Sequence, residues 1–145
     1  MIGLSSCILL IYILFLAMAL LAWNSKKDAK PSAIPASRIS VFVPFRNEEQ
    51  HLQKCIESLI KQKEVGDYEI ILIDDHSTDE SYSIAKKTIK DHPNFQVLSM
   101  SDKSGKKAAI AYAASVAKGD VFLQTDADCI APPFWIKTMR LNFSD

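Results

Sequence analysis

Excess charge of either sign is missing from this chain. Its 17 Lys and Arg balance 17 Asp and Glu over 145 residues. Without a general basic surface there is no electrostatic case for nucleic acid as a partner. Cysteine is scarce as well. Cys7, Cys55 and Cys129 show neither a paired framework nor metal-ligand spacing, which fits a reducing compartment. Cys129 with His76 is one metal-pair reading by residue type, and a small half-buried thiol is the plainer one. A Walker A loop is also absent. Ser104-Gly105-Lys106-Lys107 lacks the first glycine and the Ser or Thr after the lysine.

Charge is missing altogether from Ile2 to Trp23, a run of 22 residues. As a helix it would be roughly 33 Å long, enough to cross the hydrocarbon core of a bilayer. A cleaved signal peptide fits less well: there is no basic segment ahead, the apolar run is too long, and no clear A-x-A site closes it. A buried soluble helix would need polar residues facing water. The run is therefore expected to be one transmembrane helix over 2–23, with Trp23 at the interface. Lys26, Lys27, Lys30 and Arg38 follow, opposed only by Asp28, which places the C-terminal side in the cytoplasm. Residues 24–37 are polar with two prolines and read as a linker.

Beyond the linker the pattern alternates. Ile39–Val43, ended by Pro44, reads as a strand. Asn47–Lys63 puts Leu52, Cys55, Ile56, Leu59 and Ile60 on one helical face, with Asn47 as cap and Glu48 and Glu49 at the positive end of the dipole. Glu69–Ile73 is a second strand. A second helix follows, capped by Ser77 or Thr78, with Tyr82, Ala85 and Ile89 on one face. Phe95–Leu98 is a third strand. Lys106–Lys118 is an alanine-rich helix stopped by Gly119. Val121–Thr125 is a fourth strand, and Pro132-Pro133 opens a last helix through Trp135 and Met139. Strict alternation predicts an α/β fold, a parallel sheet with flanking helices. Ligands of such sheets bind beyond the carboxyl ends of the strands. Pro44–Asn47, Asp74–His76 and Asp126–Asp128 should therefore meet at one edge.

The chemistry at that edge is acidic. Asp126 and Asp128 at a strand end can aim two carboxylates into one crevice. Mg²⁺ is usually held by one or two carboxylates plus substrate phosphates. The competing reading is a solvated turn in which Asp128 caps the helix at Pro132. Asp75 can accept N–H groups at the start of the second helix, and a carboxylate of this pair can also accept an N–H from a nucleobase. Gly105-Lys106 at a helix start suits an anion such as phosphate.

VFVPFRNEE (Val41–Glu49), IILIDDHSTDES (Ile70–Ser81), GKKAAIAYA (Gly105–Ala113) and AKGDVFLQTDADC (Ala117–Cys129) resemble, in order, the amino-terminal half of family 2 glycosyltransferases. These are inverting enzymes of the GT-A fold, and some carry a membrane span ahead of the domain. The resemblance implies a partial GT-A domain, with 38–145 as its nucleotide-sugar-binding half. It also implies a nucleotide-diphosphate-sugar donor and a Mn²⁺ or Mg²⁺ cofactor. Pro44, Phe45, Arg46 and Asn47 would line the nucleoside pocket. Asp75 would read the base with Asp74 beside it, and Lys106 would lie near the donor. Asp126 would approach the ribose and the metal, and Asp128 would be the principal metal ligand. His76 departs from the family, which often has glycine there.

The family's catalytic base and acceptor elements lie downstream of D-x-D, and Asp145 is not assigned that role. The expectation is thus a membrane-anchored glycosyltransferase portion with a lipid-linked or cell-envelope glycan acceptor. The alternative is a short remnant that binds nucleotide and metal without turnover. A receiver domain, suggested by ILIDDH, is a further alternative. It conflicts with the complete strand and helix ahead of that motif.

Overall fold

The computed structural model describes residues 2–24 and 38–142. The chain divides into two compact units, Met1–Lys30 and Pro31–Asp145.

The first unit is a single helix, α1 (Ile2–Asn24). Its side chains are described from residue 8 to 22, and the large apolar ones among them are exposed all round. Among the described residues no helix is long and apolar enough to cross a membrane, so the expected transmembrane helix over 2–23 is not supported. Residues 25–37 of the linker, with Lys26, Lys27 and Lys30, lie outside the described residues. So does Asp145. Arg38 belongs to the second unit, where its guanidinium lies 3.8 Å from Asp67 and 3.9 Å from Glu69.

The second unit is the expected alternation. Its elements are β1 (Ile39–Phe45), α2 (Leu52–Ile60), β2 (Tyr68–Asp74), α3 (Ser81–Thr88), β3 (Phe95–Ser99), α4 (Lys106–Val116), β4 (Val121–Gln124) and α5 (Trp135–Asn142). The four strands are parallel in the order β3-β2-β1-β4. The chain moves outward through β1, β2 and β3, then returns to the other side of β1. The order reverses between β1 and β4, and the crevice beyond their carboxyl ends is where such sheets take ligands.

Alternation along the strands sorts the core into two layers. Ile39, Val41, Val43 and Phe45 of β1, with Ile70 and Leu72 of β2, pack against Leu52, Cys55, Ile56 and Leu59 of α2, Ala85 of α3 and Ile136 of α5. Phe42, Ile71 and Ile73 face the other way, onto Ala109 and Ala113 of α4. Alanines on α4 let it approach the sheet closely.

Of the boundaries that differ from the sequence expectation, three do so for a polar reason. β1 continues through Pro44 to Phe45. Thr125 N donates to the Phe42 carbonyl (3.1 Å) on the β4 side. Pro44 has the same parity and points to that side, where the ladder with β4 has ended at Phe42, so its missing N–H costs no bond. α2 begins at Leu52, with His51 at the N-cap and no side-chain cap, because Asn47 is used elsewhere. α4 stops at Val116 and Ala117 is extended. The next two N–H groups are captured by the sheet: Lys118 N donates to Glu69 Oε1 (2.6 Å) and Gly119 N to Ser40 Oγ (3.0 Å).

Candidate functional site

The β1–α2 and β2–α3 turns are built by mutual capping. Asn47 has a left-handed backbone (φ 54°), which asparagine tolerates better than most residues. Its side-chain carbonyl accepts Thr78 N at 2.8 Å. In return, Asn47 N donates to Ser77 Oγ (3.0 Å), Glu48 N to Ser81 Oγ (2.7 Å) and Glu49 N to Asp79 Oδ2 (3.1 Å). Each loop satisfies N–H groups of the other in the stretch just ahead of α2 and α3. The expected local caps, Asn47 on α2 and Ser77 or Thr78 on α3, are replaced by these exchanged ones.

The acidic pair divides its work. Asp74 is buried, and its Oδ1 accepts Ser77 N (3.1 Å), closing the turn after β2. Asp75 is also buried but turns away from α3. Its Oδ2 accepts Gly105 N (2.7 Å) and its Oδ1 lies 3.0 Å from His76 Nδ1. Burial works to raise the Asp75 carboxyl. The hydrogen bonds from His76 and Gly105, with the nearby Arg46 charge, outweigh it and hold the group below the usual carboxylate range. Gly105 has φ 99° and ψ 149°, a conformation open in practice to glycine alone. That conformation aims its N–H at Asp75. The N-terminus of α4, expected to suit a phosphate, thus already holds one protein carboxylate.

Beyond the ends of β1 and β4 lies a cleft of about 270 Å³ lined by Pro44, Phe45, Arg46, Glu48, Asp75, Lys106, Asp126, Ala127 and Asp128. The structure therefore brings Pro44–Arg46, Asp75, Lys106, Asp126 and Asp128 together. Asn47 and Asp74 do not line the cleft. They sit behind it and shape the loops that do. Glu48 lines it without having been singled out in the sequence, where it reads as a helix-dipole residue.

Asp126 and Asp128 are exposed on the cleft. Lys106 Nζ lies 2.5 Å from Asp126 Oδ1. Asp128 does not cap α5; its Oδ1 accepts a weak hydrogen bond from Cys129 Sγ at 3.6 Å. Cys129 is exposed rather than half-buried. From the other side, Cys55 Sγ of α2 reaches the Asp126 carbonyl (3.6 Å), fixing the backbone of the turn. Burial, then the nearby Cys129, Asp128 and Asp126, push the Cys55 thiol up to about 12, so it stays protonated. Among the described residues no three His, Cys, Asp or Glu side chains gather as a metal cage. Two open carboxylates are still a suitable donor set for an ion that takes its remaining ligands from phosphate and water.

Comparisons with known proteins agree with this geometry. Residues 40–145 match the family model described as glycosyl transferase family 2. The chain is 37% identical over 101 residues to the glycosyltransferase GlyG of Streptococcus pneumoniae serotype 4, covering 70% of this chain and 33% of that protein. The mannosyltransferase PcManGT from Pyrobaculum calidifontis, solved in complex with GDP-Man and Mn²⁺, superposes with a TM-score of 0.74. It does so over 88% of this chain and 38% of its own, at 24% identity. TarS 1-349 of S. aureus, solved in complex with UDP, gives a TM-score of 0.63 at 28% identity, over 70% of this chain and 30% of that one. The chain spans about a third or less of the length of the first curated relatives it matches.

Proposed function

The chain belongs to glycosyl transferase family 2, and from that premise we propose that residues 38–142 form the donor-binding half of a glycosyltransferase taking a nucleotide-diphosphate sugar. One observation carries the reading. Pro44–Arg46, Asp75, Lys106, Asp126 and Asp128, from four separate segments, line one cleft at the point where the strand order reverses.

In this reading Pro44, Phe45 and Arg46 border the nucleoside, and Asp75 offers its remaining lone pairs to the base. Its ionised state and its fixed orientation both favour that role. Lys106 and Arg46 supply positive charge to the diphosphate. Asp126 and Asp128 would hold Mn²⁺ or Mg²⁺, which when bound neutralises charge on a diphosphate leaving group. The group that deprotonates the acceptor is proposed to lie outside the described residues. We also read α1 as a single membrane anchor with the domain on the cytoplasmic side, and a lipid-linked or cell-envelope glycan as acceptor. The support for these is the uncharged run over 2–23 and the basic residues after it. Membership of family 2 removes the receiver-domain alternative.

The test is ligand-induced stabilisation of the full chain in detergent micelles. UDP or GDP should raise the melting temperature only with Mn²⁺ or Mg²⁺ present, and Asp128→Ala should abolish the rise. A shift that ignores both the metal and Asp128 would refute the site.

A further inference from the structure

His76 is the residue at the candidate site that the proposed function leaves unused. Its backbone is left-handed (φ 60°), an uncommon conformation for a residue other than glycine. Its ring faces two acceptors. Nδ1 lies 3.0 Å from Asp75 Oδ1, and the Ser101 backbone is a further acceptor that favours the ring's charged form. Asp75 in turn receives Gly105 N on its other oxygen. His76, Asp75 and Gly105 therefore form a chain of hydrogen bonds from the end of β2 to one end of the 101–105 loop, and the Ser101 backbone at its other end faces the ring.

That loop borders a second cleft. Asp75 lines the small one already described. Ser99 to Ser104 form a wall of the second, of about 680 Å³, whose opposite wall includes Lys107, Ala108 and Tyr112 of α4. The loop itself is exposed from Ser101 to Ser104. It contributes no side chain to the buried core, so hydrogen bonds rather than packing must hold it.

We propose that His76 is a positioning residue: its doubly donating imidazolium fixes the Asp75 carboxylate and the 101–105 loop in the arrangement that receives the donor, and loss of its proton releases the loop. The inference rests on the donor-site reading above. An imidazolium carries two N–H groups and a neutral imidazole one. Both partners of His76 are acceptors, so the neutral ring can keep only one of them and turns a lone pair toward the other. The charged groups that face the ring are Asp75, which favours its charged form, and Arg46, which opposes it. The hydrogen bond to Asp75 dominates and the ring's pKa is raised above the ordinary histidine value. The ordering is therefore present below that raised value and lost as pH rises through it. Asp75, held below the usual range, stays ionised throughout and does not mask the transition.

Hydrogen exchange of the 99–105 segment in the full chain, in detergent micelles between pH 5.5 and 9, tests this directly. His76→Gly is the variant of choice, because glycine suits the left-handed backbone and removes only the ring. After correction for intrinsic exchange, wild-type protection should fall about two- to fivefold on raising pH, the range of an exposed ion pair. His76→Gly should be flat at the lower level. Equal protection and equal pH dependence in the two proteins would overturn the proposal. UDP affinity with Mn²⁺ over the same range forms the second arm. It should weaken by a similar factor in wild type relative to His76→Gly. Binding that ignores His76, beside a loop that responds to it, would overturn the link to the donor. A responding loop with no nucleotide binding at any pH would sink the donor-site reading and leave the His76 clamp standing.

Discussion

Glu69 offers a sharp test of how this sheet edge is held, at the end of the strands opposite the cleft. The residue is only 4% exposed. Its Oε1 accepts Ser40 Oγ and Lys118 N, both at 2.6 Å, and Ser40 Oγ also accepts Gly119 N. One carboxylate thus joins the start of β1, the start of β2 and the turn that delivers β4. Hydrogen bonds to a charged acceptor are each worth about 1.5–3 kcal/mol, and the two here share one network and are not additive. Glu69→Ala removes both and leaves a buried hydroxyl without its acceptor, so a loss of about 2–4 kcal/mol is expected. For a domain of this size that is a drop of about 10–20 °C in melting temperature. Glu69→Gln keeps the acceptor but not its charge and should lose about half as much. Burial raises this carboxyl, but the bonds from Ser40 and Lys118, with Arg38 and the Lys118 charge, outweigh it and leave its pKa lowered. Its contribution is therefore full above the ordinary carboxylate range and disappears as pH falls through the lowered value. Calorimetry between pH 3 and 8 should show that acid limb in wild type and a weaker one in Glu69→Gln. Nucleotide affinity per folded molecule should not change, because the cleft is at the far end. A Glu69→Ala protein within about 0.5 kcal/mol of wild type would refute the argument, since that is the scatter of ordinary surface substitutions.

The other predictions concern neighbouring features. Gly119→Ala would place a Cβ 2.6 Å from the Arg38 carbonyl oxygen and from Ser40 Oγ; chemical denaturation should show a loss of about 1–3 kcal/mol, the usual cost of overpacking. Lys106→Met frees Asp126 from its ion pair. Mn²⁺ alone, measured by electron paramagnetic resonance, should bind about two- to fivefold more tightly, while UDP with Mn²⁺ binds more weakly because a phosphate contact is gone. With an alkylating reagent at pH 8 and mass-spectrometric readout, exposed Cys129 should label readily. Buried Cys55, its thiol pushed up to about 12, should label only on unfolding.

The sequence alone determined the alternation of elements and the faces of its helices. Apolar period is a local property: Leu52, Cys55, Ile56 and Leu59 must share a face in any helix, and ISVFV must present two faces in any strand. It also determined that residues just after β1, β2 and β4 would share one edge, because parallel strands put all their carboxyl ends on the same side. Tertiary structure decided how the polar groups are spent. Asn47 could cap the helix beside it or a loop 31 residues away, and its local sequence is the same in both cases. Asp74 and Asp75 are adjacent and chemically alike; only the position of Gly105, brought near by the crossover through β3, sends one to a turn and the other to α4. The end of α4 before Lys118 was equally hidden, since the acceptors that stop it, Glu69 and Ser40, lie 49 and 79 residues earlier. Hydrophobic burial is nearly indifferent to which apolar neighbour it meets, so a pattern can encode it. A hydrogen bond needs one particular partner at one distance, and that partner is known only once the chain has folded.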